Sequence, residues 1–409
     1  MKNLRRKLLA PYHYLWARLS ALWYGSPSRR LTVIGVTGTK GKSSVADMLY
    51  AIFTTAGHTT ALASTIRFVL GAESRPNLFK MTLPGRGFIQ KFLSRAAAKK
   101  CTHVIVEITS EAALQYRHLG LDLDALIFTN LQKEHVESHG SIENYFRAKF
   151  SIGEALVRSP KRPRSIIACR DDTRGARFLE LSVENQIPFS LADATDVTMN
   201  ADGVSFTYSG THFTLSLPGE FNILNALAAI KTAQTLGVSL ATSAKALREL
   251  SSIKGRVERI EAGQNFIVVV DYAHTPDSLM ALYSAFPNQR KICVLGNTGG
   301  GRDTWKRPEM GRIADEICEK VILTNEDPYD EDPRAIIDAM AQGMKRTPEI
   351  IMDRREAIRA ALRAAQPGDA VLVSGKGTDP FIMGARGTKI PWSDADVVRE
   401  ELERLLTKL

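Results

Sequence analysis

Lys42 and Ser43 close a run, Leu31-Thr32-Val33-Ile34-Gly35-Val36-Thr37-Gly38-Thr39-Lys40-Gly41-Lys42-Ser43-Ser44, whose residue types suit the holding of an anion. Gly35, Gly38 and Gly41 let the backbone bend tightly and turn its N–H groups toward a phosphate. A helix that starts at Lys42 adds the favourable end of its dipole. The Lys42 ammonium would reach the β/γ-phosphates, and the Ser43 or Ser44 hydroxyl would meet Mg²⁺. The full phosphate-loop pattern has a glycine where this chain has Val36, so the loop is a variant. Further along, Glu107, then Asn130 with His135, then Asp271 with His274 stand at or just beyond the ends of aliphatic runs. An acid at the end of a buried strand is costly unless paired or coordinated, so Glu107 reads as a metal ligand. His135 on its own reads as a surface or hydrogen-bonding histidine.

The elements that must position these groups follow from periodicity. A β-branched strand leads into the glycine turn. Val45, Met48, Leu49 and Ile52 then recur at helical spacing, and Gly57 is the expected stop. Buried strands are expected over residues 102–108, 125–130 and 165–168, spaced by helices. That alternation implies a parallel, wound α/β sheet whose ligands lie at the strands' carboxyl ends. Residues 197–217 alternate with period two around Asp202-Gly203, which predicts a small antiparallel patch. After a boundary near Ile253, strands over residues 266–271, 291–295, 320–324 and 370–374 predict a second, Rossmann-like α/β domain. The expected organisation is an N-terminal amphipathic segment (1–30), a central phosphate-loop domain (31–252) and a C-terminal domain (253–409). In the first of these, Tyr12, Leu15, Trp16, Leu19, Leu22 and Trp23 recur at helical spacing among arginines, and Pro11 suits the first turn. The expected arrangement is a helix docked on the next domain, and the alternative is a helix lying in a membrane interface.

Composition narrows the function classes. The 409 residues carry 54 Lys and Arg against 44 Asp and Glu, a formal charge of +10, which suits anionic ligands or an anionic membrane surface. No basic run interleaved with aromatics lies beyond the N-terminus, which argues against nucleic acid. Cys101, Cys169, Cys293 and Cys318 are scattered without a Cys-x-x-Cys pair. That argues against a zinc ribbon or a disulfide framework and fits a reducing cytoplasm. No apolar run reaches transmembrane length, and charges and Pro11 interrupt any signal-peptide pattern.

The chain resembles the Mur ligases, and among them the MurE branch, which joins an amino acid to UDP-N-acetylmuramoyl-dipeptide. The resemblance rests on an ordered set of stretches. These are Gly38-Thr39-Lys40-Gly41-Lys42-Ser43, Glu107-Ile108-Thr109-Ser110, Phe128-Thr129-Asn130-Leu131 with His135 and His139-Gly140, and Tyr145-Phe146-Arg147-Ala148-Lys149. They continue through Phe221-Asn222 with Asn225, Gly255-Arg256-Val257-Glu258, Asp271-Tyr272-Ala273-His274, Gly299-Gly300-Gly301-Arg302-Asp303 and Gly375-Lys376-Gly377.

The resemblance implies that Gly38 to Ser44, including Thr39, Lys40 and Gly41, hold ATP with Lys42. Ser43, Glu107 and His135 would serve Mg²⁺. Lys149 would be carbamylated and help hold a second ion. Asn222 and Asn225 would lie near the adenine, and Arg256, Asp271 and His274 would close on the nucleotide. Arg302 would add positive charge at the transferred phosphoryl group. Thr82, Ser110, Arg117, Glu326, Asp327, Tyr329, Gly375 and Asp379 would contact the substrates, a muramoyl-peptide-type acceptor and an amino acid. The chemistry expected is amide formation through an acyl phosphate, by a cytoplasmic enzyme with peripheral membrane contact as an option.

The chain departs from the family in several places. Only about thirty residues precede the phosphate loop, so the family's UDP-gripping domain has no counterpart in this sequence. Thr109-Ser110-Glu111 stands where the family has Ser-Ser-His. Glu326-Asp327-Pro328-Tyr329 stands where the diaminopimelate branch has Asp-Asn-Pro-Arg. Tyrosine cannot make that arginine's bidentate pair, so Glu326, Asp327 or Asp379 would receive an ammonium, as in L-lysine, unless Arg302, Arg307 or Arg386 reaches in from another loop. The rival readings are a folylpolyglutamate-synthetase-like ligase and a nucleotide-binding partner without ligase activity.

Overall fold

The computed structural model describes residues 2–79, 81–85, 87–134 and 139–407, with side chains from residue 9 onward. They form two compact units. One comprises Met1–Val197, Ser205–Leu215 and Phe221–Leu250, and the other Thr198–Val204, Ser216–Glu220 and Ser251–Leu409. The main division lies after Leu250, and the first thirty residues belong with the first unit rather than standing apart.

The first unit is built on an eight-stranded sheet. Its strands are β1 (Thr32–Thr37), β2 (Thr60–Ala63), β3 (Arg67–Leu70), β4 (Glu73–Pro76), β5 (His103–Glu107), β6 (Ala125–Phe128), β7 (Ser165–Cys169) and β8 (Asn185–Phe189), in the order β4-β3-β2-β5-β1-β6-β7-β8. Pairing is parallel from β2 to β8, and β3 and β4 add an antiparallel edge. Strand β1 is central because its β-branched residues are buried on both faces: Val33, Ile34 and Val36 have no exposed surface. Its register decides the site. Val36 pairs with Glu107 and Thr37 with Phe128, so β1, β5 and β6 end level. The residues that follow them therefore converge.

The helix after the glycine turn, Lys42–Thr55, buries Val45, Met48, Leu49, Ile52 and Phe53 on the sheet side. It stops where expected, with Gly57 at φ +87° just past its end. A three-stranded antiparallel sheet, β9 (Thr195–Asn200), β10 (Gly203–Tyr208) and β11 (Thr211–Leu215), occupies the predicted alternating stretch.

The second unit holds a six-stranded sheet of β12 (Glu258–Arg259), β13 (Ile267–Asp271), β14 (Lys291–Leu295), β15 (Lys320–Leu323), β16 (Glu349–Ile350) and β17 (Ala370–Ser374), in the order β12-β13-β17-β14-β15-β16. A separate hairpin pairs β18 (Phe381–Met383) with β19 (Lys389–Pro391). Helices Arg354–Ala364 and Asp394–Leu406 cover one face through Ile358, Leu362, Val398 and Leu402. Between these helices lies a buried ion pair. Arg354 donates to both Asp394 oxygens at 2.8 and 2.7 Å and to the Ser374 carbonyl at 2.8 Å. Neither side chain is more than 1% exposed.

Two expectations are corrected here. Cys293 and Cys318 form a disulfide with Cα atoms 6.2 Å apart. Distance in sequence hid their proximity: Cys293 sits within β14, and Cys318 closes the crossover that returns to the neighbouring parallel strand β15. The N-terminal helix, Lys2–Trp23, begins before Pro11 and runs through it. An exposed proline tolerates this because water can serve the carbonyl it leaves unbonded. The helix docks by the face opposite its aromatic stripe. Ser20 and Ala21 are buried, and Ala10, His13 and Ala17 half-buried. A Cβ on Gly87 or Gly120 would come within 2.8 Å of Ser20 Cβ or Ala21 Cβ, so the small residues allow an approach that leucines would block. Leu15, Leu19, Leu22 and Trp23 face outward, the last 86% exposed. Among the described residues no helix is long and apolar enough to cross a membrane.

Burial makes this fold acid-sensitive. Desolvation pushes His103 and His118 down to about 4, with nearby His58 and Arg158 adding to the effect respectively. Their folded values lie below the unfolded value near 6.5, so the unfolded chain binds protons first and stability falls as pH drops from about 6.5 toward 4. Each histidine should cost about 2 kcal/mol at pH 5. Glu184 and Glu401, held by arginines at about 2, titrate below this window. Urea midpoints should be flat above pH 7 and lower at pH 5. A midpoint unchanged from pH 7 to 5 would contradict the assignment.

Candidate active site

The phosphate loop is clamped by the residues that follow β6. The Thr39 N–H donates to the Asn130 carbonyl and the Lys40 N–H to Asn130 Oδ1, both at 2.8 Å, and Thr129 Oγ1 donates to the Lys40 carbonyl at 2.6 Å. Gly38 lies at φ +143°, and a Cβ there would fall 1.9 Å from Thr129 Oγ1. Gly41, at φ +81°, caps the helix without a side-chain bond, and a Cβ there would meet Asn225 Oδ1 at 2.3 Å. Both glycines are thus required by close approach as well as by backbone angle. Asn225 bonds Asn222 at 3.2 Å, so the structure brings this predicted pair to the loop itself. Lys42 Nζ folds back onto the Thr39 carbonyl at 2.9 Å.

Ser43 Oγ donates to Glu107 Oε2 at 3.0 Å, and the Thr65 N–H donates to the same oxygen at 2.8 Å. Glu107 is only 1% exposed. A serine hydroxyl and a carboxylate at the end of an anion-binding loop are hard oxygen donors, the set that Mg²⁺ takes beside phosphates. Thr65 Oγ1 lies 2.7 Å from Thr82 Oγ1, which ties the predicted acceptor residue Thr82 to the metal glutamate through one intermediary. Ser110 Oγ is 3.2 Å from His139 Nε2. His135 lies outside the described residues.

Lys149 is buried beneath the loop. Its Nζ donates to the Gly38 carbonyl at 2.6 Å and stands 4.5 Å from the centre of the Tyr145 ring. Burial, then Lys42 and Lys40, hold its ammonium well below the usual lysine range, and Glu134 and Glu107 oppose them. Glu134 sits 3.3 Å from Lys40 Nζ. Tyr145, 3.2 Å from Thr39 Oγ1, touches loop, lysine and His139 alike. Sequence reasoning passed over Thr65, Glu134 and Tyr145 as participants. Tyr145 lies in a family-like stretch and Glu134 beside His135, whereas no signal in the sequence marks Thr65.

The second unit gathers another cluster at the ends of β13 and β17. Asp271 accepts the N–H groups of Val257 and Ala273 at 2.7 and 2.6 Å, fixing the segment that carries Arg256. The Arg256 guanidinium lies over the Tyr272 ring at 4.6 Å, and His274 Nδ1 is 2.7 Å from the Tyr272 carbonyl. Lys376, fully buried, bonds Asp327 at 2.8 Å and approaches Asp379 at 3.5 Å. Asp327 also accepts the Met383 N–H. Glu326 accepts from Thr298 Oγ1 at 2.9 Å, and burial pushes its carboxyl up. Gly375 packs on its other oxygen, with room for no Cβ. Asp327 is therefore engaged by Lys376 inside the unit, whereas Glu326 is bonded through one oxygen and its other, buried oxygen has no hydrogen-bond partner among the described residues. Arg307 is bidentate to Glu331 at 2.6 and 2.9 Å. The guanidinium of Arg302 stands 4.9 Å over the ring of Tyr329, where the diaminopimelate branch would have its arginine.

With this geometry in hand, comparison with known proteins is decisive. Residues 36–233 match the Mur ligase middle domain, and residues 255–377 the Mur ligase, glutamate ligase domain. The chain belongs to the Mur ligase family. It is 35% identical to a UDP-N-acetylmuramyl-tripeptide synthetase of Roseiflexus, over 95% of this chain and 82% of that one. It is 36% identical to a UDP-N-acetylmuramoyl-L-alanyl-D-glutamate–2,6-diaminopimelate ligase of Nostoc, over 94% of this chain and 80% of that one. A solved structure of an enzyme with the latter name superposes with a TM-score of 0.63 at 28% identity, covering 92% of this chain and 79% of that one. Folylpolyglutamate synthase of Mycobacterium tuberculosis gives a TM-score of 0.70 at 16% identity, over 92% of this chain and 96% of that one, and so shares the fold. This Mur ligase is MurE-like, an ATP-dependent enzyme that forms carbon–nitrogen bonds.

Proposed function

We propose that this Mur ligase joins an amino acid to the carboxylate of a muramoyl-peptide acceptor during cytoplasmic synthesis of peptidoglycan precursors. The observation that carries the reading is the convergence of Lys42, Ser43 and Glu107 at the level ends of β1 and β5. A carboxylate does not accept an amine at neutral pH. One of its oxygens takes the γ-phosphoryl group of ATP, ADP leaves, and the amine then displaces phosphate from the acyl carbon and gives up a proton. Phosphoryl transfer asks for alignment and positive charge. The loop N–H groups and Lys42 supply both. Mg²⁺ held by Ser43 and Glu107 would neutralise charge on the transferred group. A carbamate on Lys149, with its single negative charge, would suit a second ion.

The amino acid we propose is meso-diaminopimelate, not the L-lysine expected from Tyr329. The acids counted as ammonium receptors are engaged by Lys376 or buried, and Arg302 stands over Tyr329 from another loop. Relatives bearing the diaminopimelate name support the same choice. Phosphate release should be measured with ATP and UDP-N-acetylmuramoyl-L-alanyl-D-glutamate, crossed with the two amino acids. Diaminopimelate should win by about tenfold to a hundredfold in kcat/KM, and Arg302→Ala should erase the preference. Higher specificity for lysine would sink the amino-acid assignment, and no turnover with any muramoyl-peptide would sink the acceptor. The outward stripe of the N-terminal helix adds reversible contact with anionic lipid to the reading, and vesicle co-sedimentation of the same protein checks it.

A further inference from the structure

Three consecutive residues after β6 form a collar on the phosphate loop. Asn130, which accepts the Thr39 and Lys40 N–H groups, also donates through Nδ2 to the Lys40 carbonyl at 3.3 Å. The Gln132 N–H donates to Thr39 Oγ1 at 3.1 Å. Leu131, between them, is bonded elsewhere: its N–H donates to Asp172 Oδ2 at 2.5 Å. Asp172 follows the end of β7, the strand beside β6. A carboxylate acceptor makes such a bond roughly twice as strong as one to a neutral oxygen.

The other oxygen of Asp172 anchors the residue itself. Oδ1 accepts the Arg174 N–H at 2.8 Å and caps the helix Thr173–Leu179. That helix is pinned to the sheet. A Cβ on Gly175 would fall 1.8 Å from the Cys169 carbonyl, so helix and strand end are pressed together, and the Phe178 ring stacks on Phe128 at 4.3 Å. The Arg174 guanidinium lies over the Phe146 ring at 4.7 Å and pairs with Glu143 at 3.0 Å. Both partners belong to the helix Ile142–Val157, which carries Tyr145 and Lys149. One carboxylate therefore joins the collar of the loop to a packed support, and that support also touches the helix of the buried lysine.

We infer that Asp172 is a positioning residue for phosphoryl transfer: its two oxygens fix Leu131, so that Asn130 and Gln132 keep the phosphate loop in its anion-binding shape. It acts through Leu131 and not on ATP itself. Transfer tolerates little misplacement, since a shift of about 1 Å costs about a hundredfold. Freeing Leu131 would loosen the loop without removing any group that faces the phosphates. The inference rests on the loop's being the ATP site, and the test separates the two.

Asp172→Asn is the deciding variant. Asparagine caps a helix about as well as aspartate, but its one carbonyl oxygen cannot serve both Arg174 and Leu131. The variant should unfold in urea close to the parent. Its ATP KM should rise about tenfold and its kcat fall about tenfold, with the KM values for acceptor and amino acid unchanged. Asp172→Ala should show the same kinetics with a lower urea midpoint. Ser239→Ala removes another side-chain cap in the same unit, the one that accepts the Thr242 N–H, and should lower the midpoint while keeping the kinetics of the parent. Nucleotide binding is read separately, by calorimetry with a non-hydrolysable ATP analogue, and Asp172→Asn should weaken it about tenfold. Asp172→Asn with the ATP KM and kcat of the parent would overturn the inference, as would a Ser239→Ala protein with the same kinetic loss or a rise in all three KM values together. Analogue binding unchanged in Gly38→Ala would show that the loop is not the ATP site, and the inference would fall with that reading. An impaired Gly38→Ala beside an unimpaired Asp172→Asn would reject the inference alone.

Discussion

Lys42→Ala should abolish acceptor-dependent phosphate release, lowering kcat by about 10³-fold or more, while the far-ultraviolet spectrum stays unchanged. The side chain bonds the Thr39 carbonyl within the loop, so its removal should leave the strand, the turn and the helix in place. What disappears is a positive charge beside the loop's anion-binding N–H groups. Other loop contacts would keep some nucleotide affinity, so the loss should appear in kcat more than in the ATP KM. A folded Lys42→Ala protein that turns over within tenfold of the parent would remove the phosphate loop from the mechanism. Gly38→Ala should be comparably severe for a different reason, because its methyl would occupy the place of the Thr129 hydroxyl that secures Lys40.

The second large effect concerns Lys149. Burial and two neighbouring lysines favour its neutral amine, and a neutral amine is the form that adds CO₂. In that step the nitrogen's lone pair forms a bond to carbon and a proton leaves, so the side chain changes from neutral to a single negative charge. Lys40 and Lys42 would then attract the group they repel as an ammonium. Enzyme depleted of bicarbonate should lose most of its activity and regain it when bicarbonate is returned. Lys149→Ala should fall about a hundredfold and ignore bicarbonate. Labelling with ¹³C-bicarbonate gives a readout independent of turnover: a carbamate carbon resonance present in the parent and missing in the variant. Activity indifferent to bicarbonate, with no such resonance, would mean that Lys149 acts as the amine seen bonded to Gly38.

The parts of this fold legible in the sequence were those with local causes. Glycine spacing located the loop, and the three-to-four-residue recurrence of Val45, Met48, Leu49 and Ile52 located the helix after it. In the first unit, strands β2, β3, β4 and β8 carry no clear signal in the sequence. The first three have only four residues each, and β8 carries Pro188, which an edge strand tolerates. The clamp on the loop was also invisible, because Thr39 and Lys40 meet Tyr145 and Asn130 across 106 and 90 residues. The same limit applied to charges. The sequence offers Glu326 and Asp327 as receivers of an ammonium, and the structure pairs Asp327 with Lys376 and bonds one Glu326 oxygen to Thr298. The helix stripe misled for a related reason: apolar periodicity identifies a face but not what it meets, and here the small residues opposite it did the docking.

The Arg354–Asp394 pair has a consequence for how the chain is made. Arg354 emerges from the ribosome forty residues before the aspartate that neutralises it. Until the closing helix is synthesised, the second unit would have to bury a guanidinium without its counter-charge, a penalty of about 3–5 kcal/mol. The C-terminal half should therefore stay open to chaperones and proteases until that helix emerges. A product terminated just before Asp394 would carry the whole catalytic loop of the first unit yet be marked for degradation by its unfinished second one.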